Sequence, residues 1–209
     1  MTYRKWATAS FVAATLLSFE LLSTGCTPRP VETISSPEVT SVIPKVTDKK
    51  GRWVLIDTQR RTLIVFDNNT TVDSFSHLAR GTNGVGSKKR RGDNITPVGL
   101  FKVGWITRNT RFKIFIGLNY PTVEYAEKGF ASKLIDEKTL TRIRLAVQKG
   151  EVPPQNTALG GYIGIHGIGR GSLKIHHLID WTDGCIALDN QQIEKLGRLV
   201  KIGMNVEIE

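Results

Sequence analysis

Cysteine is scarce in this chain of 209 residues: there are two, Cys26 and Cys185. Two thiols so far apart exclude the dense disulfide framework of a small secreted domain, and paired CxxC metal spacing with it. HExxH is missing too, so the usual helical zinc signature is excluded. Long apolar runs are also lacking. The amino-terminal run from Ala7 to Phe19 falls short of the about 20 residues that a spanning helix needs. Acidic residues are the minority, 19 against 29 Lys and Arg, giving a formal net charge of +10. That balance suits an anionic setting without identifying it. The densest basic run, Lys88-Lys89-Arg90-Arg91, falls in a glycine-rich stretch with no interleaved aromatics or nucleic-acid fold signature. It reads as a solvated loop, and no nucleic-acid partner is expected.

What is present begins with a positive head, MTYRKW, before the apolar run, the pattern of a secretory signal over residues 1–25. Cys26 follows directly. Thr24-Gly25-Cys26 has the ending of a lipobox, although Ser23 stands where an aliphatic residue is usual and Glu20 is a poor neighbour. Three readings are open for Cys26: a lipidated anchor to a membrane, a cysteine beside an ordinary cleavage site, or a disulfide with Cys185. Residues 26–50 carry Pro28, Pro30, Pro37 and Pro44 among Ser, Thr, Val and Glu with no sustained period, and read as a flexible tether. The remainder, 51–209, is long enough for one domain with its own core.

Within it, Trp53-Val54-Leu55-Ile56-Asp57 and Leu63-Ile64-Val65-Phe66 form a hairpin pattern, with further strands expected over 71–79, 101–106, 162–166 and at the end. Val206 and Ile208 alternate with Glu207 and Glu209, the sign of a half-buried strand. Leu140, Ile143 and Val147 recur at helical spacing between Asp136 and Gln148, with Gly150 as a stop. Ile193, Leu196 and Val200 do the same after a cap at Asp189-Asn190. The expected fold is a β-rich mixed sandwich or partly closed barrel with one or two decorating helices.

Cys185 lies in Thr182-Asp183-Gly184-Cys185-Ile186, downstream of His166-Gly167. A thiol reacts as its thiolate, and an imidazole within reach can take the proton and later return it to a leaving amine. Cys185 and His166 are therefore the candidate nucleophile and base. Gly167 allows a sharp turn, and Gly184 lets the backbone approach a carbonyl, so amides there can form an oxyanion hole. The bland alternatives are a small buried hydrophobe and a core histidine. Found together in an exported chain, the two residues favour chemistry. Thr182, Asp183, His176 and His177 are candidate substrate contacts. Adjacent histidines on a strand face opposite ways, so one of the pair is expected in the cleft and the other in solvent. No metal or cofactor is expected.

These residues together resemble the L,D-transpeptidase catalytic domain of the YkuD type. Thr96-Pro97-Val98-Gly99-Leu100-Phe101 is similar to the family's TPxGxF strand opening, followed in order by Ile165-His166-Gly167 and Thr182-Asp183-Gly184-Cys185-Ile186 over 51–209. The resemblance implies a cysteine that attacks the peptidoglycan stem peptide between its third residue and the D-alanine at position four. A thioester forms, and an amine acceptor resolves it. Cys185 takes the nucleophile's place, His166 that of base and acid, and the Gly167 carbonyl orients the imidazole. Many members read SHGC with an arginine two residues later. Here Thr182-Asp183 precede Gly184 and Ala187 takes the arginine's place, which resembles a divergent branch. Hydrolysis at the same site, as a carboxypeptidase or in releasing wall-linked protein, is the alternative outcome. A non-catalytic wall-binding lipoprotein is the second.

Overall fold

The structure, a computed structural model, describes residues 50–209. The signal over 1–25, Cys26 and all of the tether but Lys50 lie outside the described residues. Ten strands and four helices follow in the order β1 (Arg52–Asp57), β2 (Thr62–Asp67), β3 (Thr70–Ser76), β4 (Val85–Gly86), β5 (Thr96–Pro97), β6 (Gly99–Thr110), β7 (Lys113–Leu118), α1 (Val123–Ala131), α2 (Glu137–Gln148), β8 (Gly164–Gly167), α3 (Leu173–Leu178), β9 (Ile186–Leu188), α4 (Asn190–Leu199) and β10 (Asn205–Ile208). Eight strands form one mixed sheet in the order β3-β2-β1-β10-β6-β7-β8-β9, and β4 pairs with β5 apart from it. β1–β10 and β8–β9 are parallel, and the other pairs of the large sheet are antiparallel. Just past β3, Ala79 exchanges two backbone hydrogen bonds with Ala187 of β9, at 3.0 and 2.8 Å. The two edge strands thus meet, and the sheet curls into a partly closed barrel.

The elements form where local chemistry requires them. α2 begins where the Asp136 carboxylate accepts the Thr139 N–H, and α4 where Asp189 and Gln192 complete a capping box. The main core gathers Val54, Ile56, Leu63, Phe101, Ile116, Ile165, Val206 and their neighbours, with Ile193 and Leu196 of α4 packed on it. Each such side chain contributes about 1.5–3 kcal/mol by leaving water. A second cluster, Ala126, Ile135, Leu140, Ile143 and Leu159, joins α1 to α2.

Four expectations change. α1 and α3 are helices that periodicity did not announce, so four helices accompany the sheet. β10 is not half-buried: it lies between β1 and β6, and Glu207 is as buried as its apolar neighbours. The basic run is not wholly solvated either, because Lys88 is buried in an ion pair with Asp93 while Lys89, Arg90 and Arg91 stay exposed. Lastly, the strand expected over 162–166 is β8, Gly164–Gly167, and the insert between Pro121 and Gly160 packs on its own cluster. No helix among the described residues is long and apolar enough to cross a membrane.

Candidate active site

His166 is fixed by the sheet on both sides. In β8 it pairs with Phe115 of β7 and with Ala187 of β9, and its side chain is buried. Its ring lies among aromatics: Phe112 at 4.3 Å between centroids, Trp181 edge-on at 5.7 Å and Phe115 at 6.1 Å. Nδ1 stands 2.8 Å from the carbonyl oxygen of Gly167. A carbonyl only accepts, so Nδ1 carries the proton and Nε2 is left as the basic nitrogen. Burial lowers the imidazole pKa; the Gly167 carbonyl opposes this, and the nearby Arg111 and His176 charges add to it. Gly167 makes no sharp turn. It lies within β8, where a Cβ would come 2.6 Å from the Phe112 carbonyl oxygen and 2.7 Å from Ile193, so its role is close packing.

Cys185 ends a pinned turn. The Thr182 hydroxyl donates to the Cys185 carbonyl at 2.6 Å and accepts the Gly184 N–H at 3.2 Å. Thr182 is itself tied down by backbone bonds to Arg80 and Thr82, at 3.2 and 2.9 Å. Gly184 has φ +124°, and a Cβ there would lie 2.7 Å from the Ile95 carbonyl oxygen. The carbonyl it approaches is therefore the protein's own. Its amide is engaged by the Thr182 hydroxyl. The half-buried thiol faces the Tyr162 carbonyl at 3.4 Å. Burial pushes its pKa up to about 11, partly opposed by the Gly164 N–H and reinforced by Asp183.

His166, Cys185, Thr182 and Asp183 line one cleft of ≈ 950 Å³ together with Trp181 and Tyr162. His176 and His177 do not. They belong to α3, capped by Ser172, rather than to a strand. His176 is buried and its Nδ1 accepts the Trp181 indole N–H at 3.2 Å, so it supports the ring that packs on His166. His177 is exposed, 5.0 Å from the ring of His77. Residues 121–160 supply none of the cleft wall, which on that side starts at Gly161. Ala187 is fully buried against Ala79, so no long side chain could replace it without breaking the barrel seam. Cations reach the cleft from elsewhere, through Arg111, Lys113 and Arg170.

Phe112, Phe115, Trp181 and Tyr162 were not anticipated as site residues. The alternation in Phe112-Lys113-Ile114-Phe115-Ile116 announces a strand with Phe112, Ile114 and Ile116 on one face, but nothing local places a ring on His166. Tyr162 is a left-handed non-glycine residue, φ 55°, held by a 2.6 Å bond from its N–H to the Gln155 side chain.

Comparison with known proteins gives one family model and a set of solved structures of similar fold. The sequence profile of the L,D-transpeptidase catalytic domain, YkuD, matches residues 51–208. Among solved structures, the chain is similar to the helical cell shape determining protein Pgp2 from Campylobacter jejuni. Identity is 22%, coverage is 76% of this chain and 47% of that one, and the TM-score is 0.52. A cysteine-to-serine variant of the L,D-transpeptidase of Enterococcus faecium also matches, at 9% identity over 77% and 50% of the two chains, TM-score 0.46. The chain spans about half the length of these structures. No curated protein sequence matches.

Proposed function

Because the chain belongs to the YkuD family of L,D-transpeptidase catalytic domains, we propose that it is a cysteine acyltransferase of the cell wall acting on peptidoglycan stem peptides. One observation carries this reading: the cleft that Cys185 enters also holds an imidazole kept as the Nδ1–H tautomer by Gly167. With the thiol pKa raised and the imidazole pKa lowered, both are neutral at rest. Attack therefore couples to proton transfer. Sγ bonds to the carbonyl carbon of stem residue 3 as its proton passes to His166 Nε2, and the oxyanion meets the Cys185 N–H. The C–N bond to the fourth-position D-alanine then breaks, and Nε2 returns the proton to the leaving amine. An acceptor amine attacks the thioester, loses its proton to Nε2 and releases the thiolate, which is reprotonated. Thr182 positions Cys185, and Asp183 faces the substrate.

The proposed organisation is an export signal over 1–25, a tether over 26–50 with a lipid on Cys26, and the catalytic domain over 51–209. This places the enzyme in the cell envelope, outside the cytoplasmic membrane. The test is muropeptide profiling of peptidoglycan exposed to the full chain and to Cys185→Ala. New cross-links between third residues, absent with the variant, are expected. Shortened stems instead would make water the acceptor, and an unchanged profile would overturn the reading. Mass spectrometry of the mature amino terminus tests the anchor: Cys26 without a lipid overturns it.

A further inference from the structure

Two arginines stand on the cleft without an ion-pair partner among the described residues, although Asp183 lines the same cleft. Arg111 occupies the tight turn from β6 to β7, and Arg170 the turn from β8 to α3, and both line the cleft with His166 and Cys185. Backbone packing makes neighbours of the two turns. The Gly167 N–H donates to the Phe112 carbonyl at 3.1 Å. A Cβ at Gly169, whose φ is +61°, would fall 1.9 Å from the Arg111 carbonyl oxygen. Only glycine permits that approach. Asn190 then locks the second turn, accepting the Gly169 N–H at 2.9 Å and donating to the Gly169 carbonyl at 2.7 Å.

The Arg111 guanidinium lies 4.6 Å from the centroid of Phe112, the ring that packs on His166 at 4.3 Å. Among the described residues neither Arg111 nor Arg170 takes part in an ion pair, whereas Lys113 is paired with Glu194. Two cations without an ion pair on neighbouring turns favour an anion placed between them, and the guanidinium fork fits a carboxylate.

We infer that Arg111 and Arg170 form a carboxylate-binding subsite for the free terminus of the residue that leaves during acyl transfer. The assignment to that terminus rests on the stem-peptide reading above. His166 must hand its proton to the leaving amine, so the leaving residue lies against the imidazole. Arg111 belongs to that wall. The carboxylate one carbon beyond the amine then meets the guanidinium groups.

N-acetyl-D-alanine carries an acyl nitrogen and a free carboxylate at the spacing of the leaving residue, and N-acetyl-D-alaninamide has the same shape without the charge. The measurement is the rate at which iodoacetamide alkylates Cys185 in the full chain, followed by mass spectrometry of the Cys185 peptide. The acid is expected to protect at concentrations about ten- to hundredfold lower than the amide. Arg111→Gln combined with Arg170→Gln erases that difference. Lys138→Gln combined with Arg142→Gln, an equal charge loss at exposed positions of α2, keeps it. Equal protection by acid and amide, or none by either, overturns the subsite.

A second arm compares stem tetrapeptides with a free or an amidated D-alanine terminus, the rest of the peptide being constant. A higher KM for the amide, lost in the double variant, is expected. Equal kcat/KM for the two would overturn the subsite while leaving the acyl-transfer reading intact. Protection by the acid with no turnover of either peptide would do the reverse.

Discussion

Cys185 sits on a turn pinned by hydroxyl and amide hydrogen bonds, whereas His166 sits at a strand end packed among rings. The first half of the site depends on Thr182, whose one oxygen joins Gly184 to Cys185. The second depends on Phe112, Phe115 and Trp181, with β7 and β9 holding the backbone. The difference fits the proposed tasks of nucleophile and base. A nucleophile must reach substrate, so its support comes from behind, through directional bonds to its backbone. A base must stay neutral and oriented, so it benefits from low-dielectric walls and one carbonyl to fix its tautomer.

The largest expected effect removes the chemistry and leaves both supports intact. Cys185→Ala should lower kcat by at least about 10³-fold with stability changed by less than about 1 kcal/mol, as read by turnover and thermal melting. Full activity in that variant would place the nucleophile elsewhere. Next, Thr182→Val strips the polar pin and strands the Gly184 amide and Cys185 carbonyl. A cost of about 1–3 kcal/mol in denaturant unfolding and a kcat loss of about 10–100-fold are expected, with Thr182→Ser restoring most of both. If Val and Ser behave alike, the hydroxyl is not the pin.

Phe112→Leu attacks the other support more gently. Loss of a ring contact is worth about 0.5–1.5 kcal/mol, so kcat should fall about two- to tenfold with KM for an uncharged donor little changed. A fall in KM alone would show that the ring does not steady the base. The smallest effect concerns pH. His166 and His176 are held neutral in the fold, each with its pKa lowered from 6.5 mainly by burial. Above pH 6.5 they are neutral folded or unfolded and add nothing. As pH falls through 6.5 the unfolded chain takes up protons that the folded one refuses, so stability declines. Calorimetry should show a melting temperature level from pH 8 to 7 and dropping towards pH 5, before the carboxylates titrate. A level curve to pH 5 would contradict it.

Local periodicity made much of this fold legible. The β1–β2 hairpin, α2 from its Asp136 cap and α4 from Asp189 all carry their signals within a few residues. β9 did not, because Ile186-Ala187-Leu188 is too short and too uniformly apolar to show a period. Glu207 misled because alternation marks a half-buried strand only where one face meets solvent, and in β10 Glu207 is buried as well as Val206 and Ile208. His176 and His177 misled through the wrong period, since they lie on a helical turn. The pairing of a thiol with an upstream imidazole could be read from residue types. The ring cage around His166 could not, because it joins residues from β7, β8 and the loop before Cys185. The Thr182 turn was readable in principle: a threonine before Asp-Gly readily bonds its own backbone.

The position of β10 has a consequence for how the molecule comes into being. The large sheet has two pieces, β3-β2-β1 and β6-β7-β8-β9, which residues 205–208 join along one side and the Ala79–Ala187 bridge joins along the other. The strand that joins the pieces comes after everything else in the fold. Hairpins and helices can form from local contacts, but the sheet closes only through pairings distant in sequence, that of β10 with β1 above all, which are the slow steps of such a topology.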